Sequence, residues 1–102
     1  MRLEYESLEK VKKEILKIAG KHLDLNQYKL FFFGSRVSGK GNERSDIDIG
    51  IQGAKPISVS ASSEIEEEIE NLPILYKIDV VDFSKVSEKF KQVALEKIEY
   101  IN

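Results

Sequence analysis

Two aspartates stand one residue apart in Ser45-Asp46-Ile47-Asp48-Ile49-Gly50-Ile51. Ile47, Ile49 and Ile51 alternate with Asp46, Asp48 and Gly50, the pattern of a half-buried strand, so both carboxylates share one face. Carboxylates that close repel each other unless a cation or a proton lies between them. Magnesium suits such a pair, because it takes oxygen ligands, usually one or two carboxylates with phosphates and water. Upstream, the apolar run from Leu30 to Phe33 ends at Gly34-Ser35-Arg36. Glycine lets the backbone approach a phosphate closely, and Ser35 can donate from both amide and hydroxyl. Arg36 adds a planar cationic fork within reach of the same phosphates. The combination describes a site that holds a triphosphate at the turn and magnesium on the paired carboxylates.

A third acid stands in Tyr76-Lys77-Ile78-Asp79-Val80-Val81-Asp82. Asp79 interrupts an otherwise apolar strand, and a charge there needs a partner. Asp82 has the opposite parity and lies near the strand end, which makes it the weaker candidate. Asp46, Asp48 and Asp79 on adjacent strands could hold two metal ions roughly 3.5–4 Å apart, the arrangement that stabilises attacking and leaving oxygens in phosphoryl-type transfer.

The elements around these residues follow from periodicity. Leu8, Val11, Ile15, Ile18 and His22 recur at helical spacing, which predicts an amphipathic helix from about Tyr5 to His22. Lys29 to Phe33 reads as a short buried strand ended by Gly34, and Arg36 to Gly39 as a helical turn leading into a loop. Asp46 to Gln52 is the second strand, broken by Gly53-Ala54-Lys55-Pro56. Ser63 and Glu66 have capping-box spacing ahead of Ile65, Ile69 and Leu72, with Pro73 as the stop. Ile74 to Phe83 is a third strand. A last helix runs from Ser84 or Ser87 to Glu99, with Tyr100 and Ile101 either continuing it or peeling away. The expected fold is α+β, a small mixed sheet with helices on one face and the other face left for a site.

Composition narrows the function classes. A chain of 102 residues, 41% apolar and 33% charged, fits one globular domain spanning 1–102. Its longest apolar run is too short to cross a bilayer, no secretory h-region is visible, and no cysteine is present, which together suit a cytoplasmic protein. A net charge of −2 argues against strong nucleic-acid binding. His22, the only histidine, reads as a rim residue of the first helix. Gly34-x-x-x-x-Gly39-Lys40 resembles the start of a P-loop, but Gly41 stands where the magnesium-binding Ser or Thr belongs, and a loop follows where a helix is required.

Phe33-Gly34-Ser35-Arg36-x-x-Gly39, then Ser45-Asp46-Ile47-Asp48, then Ile78-Asp79-Val80 resembles the minimal nucleotidyltransferases of the DNA polymerase β superfamily, over nearly the whole chain. The resemblance implies transfer of a nucleoside monophosphate, expected to be AMP from ATP, to a hydroxyl. Gly34 and Ser35 would hold the triphosphate, with Arg36 facing phosphate and Ser45 beside the nucleotide. Asp46, Asp48 and Asp79 would be the catalytic residues and the ligands of two Mg2+ ions. Minimal members are typically paired with a HEPN-domain protein in toxin–antitoxin modules, where the nucleotidyltransferase adenylylates a tyrosine of its partner. A hetero-oligomer or homo-oligomer is therefore expected. Two other readings stay open: a module that neutralises its partner by contact alone, and a small-molecule nucleotidyltransferase. No base-reading residue is identifiable in the sequence.

Overall fold

The computed structural model describes residues 1–41 and 45–102. The chain order is α1 (Leu8–Ala19), β1 (Tyr28–Phe33), α2 (Ser35–Ser38), β2 (Ile47–Gly53), α3 (Val59–Glu70), β3 (Ile78–Asp82), α4 (Glu88–Ala94) and β4 (Glu99–Tyr100). The four strands form one mixed sheet in the order β3-β2-β1-β4. β1 runs antiparallel to both β2 and β4, whereas β2 and β3 are parallel.

Strand parity decides what each face buries. Leu30, Phe32, Ile47, Ile49 and Ile51 point to one face and are essentially inaccessible. There they meet Val11, Ile15 and Ala19 of α1, and Ile65 and Ile69 of α3 form a second cluster with Ile18. Polar contacts tie the two helices at their ends. His22 lies 3.0 Å from Glu64 and 2.5 Å from Glu68, and Lys21 donates to Glu68 at 2.8 Å. Hydrogen bonds from Lys21 and His22 hold the Glu68 carboxyl below its usual range.

The opposite face is less bare than expected. Phe31 and Phe33 alternate with Leu30 and Phe32, so β1 carries aromatic bulk on both sides and each side needs cover. Phe31 and Phe33 pack edge-on against Phe83, with ring centres 4.9 and 5.1 Å apart, and Val86, Ala94, Leu95 and Ile98 pack against this cluster. Gly50 makes room for it, since a Cβ there would stand 2.5 Å from the Phe31 ring and 2.7 Å from that of Phe83. The segment carrying α4 thus covers part of the face that bears the aspartates.

Several boundaries differ from expectation for local reasons. α1 is shorter than Tyr5 to His22, because the Ser7 hydroxyl caps it at Lys10 and the chain turns at Gly20. The N-cap of α3 is Ser58 and not Ser63: the Ser58 hydroxyl accepts from the Ala61 amide at 3.2 Å, and Ser63 sits inside the helix. β3 begins at Ile78 instead of Ile74, since pairing starts where Ile78 meets Ile47, while Tyr76 accepts hydrogen bonds from the Glu4 and Tyr5 amides. α4 ends at Ala94, and the chain then peels away, pairing Glu99 and Tyr100 with β1. Asn102 extends that edge by accepting from the Leu30 amide at 2.7 Å.

Candidate active site

Sheet register brings the acids together. Asp48 of β2 is paired with Asp79 of β3 on one side and with Phe33 of β1 on the other, so all three side chains share a face. Asp46 lies two residues before Asp48, immediately outside β2, with the same parity. Burial pushes the Asp48 carboxyl above its ordinary range, and the neighbouring charges of Asp79 and Asp46 push it further. Two neighbouring carboxylates therefore press on Asp48 at the end of the sheet where β1 stops.

The chain leaves β1 through Gly34, whose φ of 83° lies in the region that favours glycine. A Cβ at this position would overlap the Asp48 carboxylate. Backbone and acid are in close approach here, and no other residue type fits without displacing one of them. Ser35 follows as the first residue of α2, where a helix cannot satisfy an amide internally. The chain then folds back, with the Lys40 and Gly41 amides donating to the Ser35 carbonyl at 3.1 and 2.9 Å. A Cβ on Gly41 would stand 2.8 Å from both the Ser35 and the Ser45 hydroxyl oxygens, so the two serines converge on this loop. Part of the expected loop, Asn42, Glu43 and Arg44, lies outside the described residues.

Arg36 occupies a bracing position. Its Nε donates to the Ser45 carbonyl at 2.7 Å, and the guanidinium stacks 4.8 Å from the centre of the Tyr76 ring. That ties α2 to the backbone just before Asp46 and to the segment leading into β3. Asp82 is used structurally. Its oxygens accept from the Ser84 amide and hydroxyl at 2.9 and 2.7 Å and from the Ile57 amide at 3.3 Å, which turns the chain after β3.

The donor set is entirely hard oxygen, which suits magnesium and excludes a thiolate or imidazole centre. Among the described residues, no three His, Cys, Asp or Glu side chains form a ready cage for a metal ion. The pressure on Asp48 from its two acidic neighbours is the observation that fits a cation, because a cation relieves it.

Residues 13–101 match the family model for polymerase beta nucleotidyltransferases. The chain belongs to this family. A probable protein adenylyltransferase, MntA of Haemophilus influenzae, is 30% identical over 66 residues, which are 65% of this chain and 58% of that protein. The chain thus spans less than two thirds of that relative's length. Among solved structures, a toxin–antitoxin with AMP-PNP superposes with a TM-score of 0.70 at 21% identity, covering 89% of this chain and 72% of the other. A complex of tri-AMPylated Shewanella oneidensis HEPN toxin with MNT antitoxin gives 0.68 at 18% identity, covering 93% and 72%. These likenesses show that the nucleotidyltransferase fold is retained, with the mixed sheet and flanking helices expected from the sequence.

The fold gathers the expected site residues Gly34, Ser35, Asp46, Asp48 and Asp79 at one sheet end. Residues of α4 that line a cleft together with Gly34 and Ser35 stand outside that expectation. Phe90, Val93 and Ala94 have the spacing of a buried stripe, yet Phe90 is 42% and Val93 63% exposed. No helix among the described residues is long and apolar enough to cross a membrane.

Proposed function

We propose that this chain is a magnesium-dependent nucleotidyltransferase that moves AMP from ATP onto a tyrosine hydroxyl of a HEPN-domain partner, as the antitoxin of a toxin–antitoxin module. The observation that carries this reading is the register pairing of Asp48 with Asp79, with the Gly34 turn in close approach to Asp48. The resemblance to a probable protein adenylyltransferase supports the acceptor class. The likeness to toxin–antitoxin complexes shows the fold and agrees with the partner.

In this reading Gly34, Ser35 and Ser45 hold the triphosphate tail, and Asp46, Asp48 and Asp79 hold two magnesium ions. The metal supplies Lewis-acid stabilisation of the charge developing on the phosphate oxygens. Asp79, on the edge strand and half-buried, positions the acceptor hydroxyl and receives its proton. The tyrosine oxygen bonds to the α phosphorus as the bond to the bridging oxygen breaks, and pyrophosphate leaves. Arg36 keeps Ser45 and the start of β2 in place through the Ser45 carbonyl.

The test is transfer of label from α-labelled ATP onto a co-expressed HEPN-domain partner in the presence of magnesium. Wild type is expected to label the partner, and Asp46→Asn and Asp79→Asn to lower transfer by roughly a hundredfold or more, the scale of losing several kcal/mol of charge stabilisation. Undiminished transfer by both variants would remove the metal assignment. A partner that co-purifies yet is never labelled would favour neutralisation by contact.

A further inference from the structure

β3 closes one side of the sheet, and part of its backbone is left without a partner. The Lys77 carbonyl accepts from the Ile47 amide and the Phe83 amide donates to the Ile51 carbonyl, so the odd-numbered residues of this strand turn toward β2. In a parallel ladder the intervening residues turn their amides and carbonyls the other way. Ile78 and Val80 therefore present both groups at the open edge, where no hydrogen bond reaches them among the described residues. Such an edge is a template for another strand. A groove of about 370 Å³ lies along it, between β3 and α3.

The two faces of this edge differ in chemistry. Asp79 points to the carboxylate face, while Ile78 and Val80 pack against the cluster of Ile18, Ile65 and Ile69 on the helical side. α3 carries five glutamates and no lysine or arginine. Glu64 and Glu68 are held by His22 and Lys21, whereas Glu66 and Glu70 line the groove, are exposed and form no ion pair among the described residues. Together with Asp79 they set three carboxylates against one cation, Lys77, along the groove. A second copy of this chain is a poor occupant, because edge-to-edge pairing would set these acids against themselves.

We propose that the open edge of β3 takes up, as a fifth strand, an extended basic segment of a protein partner that carries the acceptor tyrosine. The inference rests on the transferase reading and adds how the acceptor arrives. Main-chain bonds to Ile78 and Val80 supply the hold, and alternate side chains supply the choice. The residue paired opposite Asp79 shares its face, so a tyrosine there points toward the carboxylates. Its two neighbours point to the helical side, where lysine or arginine is matched by Glu66 and Glu70. The tyrosine oxygen bonds to the α phosphorus, its proton passes to Asp79, and pyrophosphate leaves. The sequence hides this feature, because Ile78-Asp79-Val80 reads as a strand whether it lies at the centre of a sheet or at its edge.

The test uses the peptide Thr-Lys-Tyr-Lys-Thr capped at both ends, a version with glutamate in place of both lysines, and a version N-methylated at the three central amides. Amide hydrogen exchange is followed along the whole chain, and label is followed from α-labelled ATP with magnesium. Without peptide, the Ile78 and Val80 amides are expected to exchange at least about tenfold faster than those of Asp79 and Val81. The lysine peptide is expected to slow them by about tenfold near saturation and to take label at least about tenfold faster than either altered peptide. Glu66→Lys combined with Glu70→Lys, both at exposed positions, is expected to reverse the preference between lysine and glutamate flanks. Edge amides already protected in the free chain, or unmoved by the lysine peptide, would overturn the proposal. Equal labelling of all three peptides would also overturn it while leaving the transferase reading in place. Slowed exchange at the edge with no label on any peptide would overturn the transferase reading and uphold the strand addition.

Discussion

Asp48 is the residue on which the site's electrostatics turn. It is partly buried, faces Asp79 across the β2–β3 pair and has Asp46 beside it, and all three influences favour its protonated form. The folded state therefore holds the Asp48 proton more tightly than the unfolded chain does. Stability from this group is fully present below the ordinary aspartate range and is lost as pH rises through the raised folded value. Asp48→Asn is then expected to melt at a higher temperature than wild type near neutral pH without metal, with the gap closing as the pH is lowered toward about 3.5. Thermal melts across that range check this. A variant less stable than wild type at neutral pH would contradict it. Gly34 shows the same crowding from the backbone side, since only a residue without a side chain can pass so close to the Asp48 carboxylate.

At the scale of elements, the fold is set by strand parity and helix caps, and these were legible to different degrees. The parity of Ile47, Ile49 and Ile51 was unambiguous because one face is fully buried, so the shared face of Asp46 and Asp48 could be read without coordinates. Cap choice was harder. Four serines stand at positions 58, 60, 62 and 63, and Glu66 at capping-box spacing points to Ser63, whereas the hydroxyl that meets an open amide belongs to Ser58. The two alternatives differ in sign. Ser58→Ala is expected to cost about 1 kcal/mol, while Ser63→Ala, inside the helix and exposed, should be neutral or slightly stabilising. Chemical denaturation of the two variants separates them, and a cost carried by Ser63 alone would refute the observed cap. The strand ends were illegible for another reason: the pairing of Glu99 and Tyr100 with β1, and the late start of β3, depend on partners far away in the chain.

For the whole molecule, the sheet works as a divider. One face carries the apolar core under α1 and α3, and the other carries the aromatic cluster, the carboxylates and the cleft beside α4. The acidic part of the candidate site stands out in the sequence because its residues are unusual where they stand. The cleft does not, since its walls come from α4 and the turn after β1, which are more than fifty residues apart. The central claim is that Asp46, Asp48 and Asp79 form the metal-bearing end of one nucleotide site. It is tested most directly by following amide signals while manganese, as a paramagnetic stand-in for magnesium, is titrated with a non-hydrolysable ATP analogue. The account predicts that broadening concentrates at Gly34, Ser35, Asp46, Asp48 and Asp79 and disappears in the Asp46→Asn, Asp48→Asn double variant. Broadening centred instead on Glu64 and Glu68, or surviving unchanged in the double variant, would contradict it.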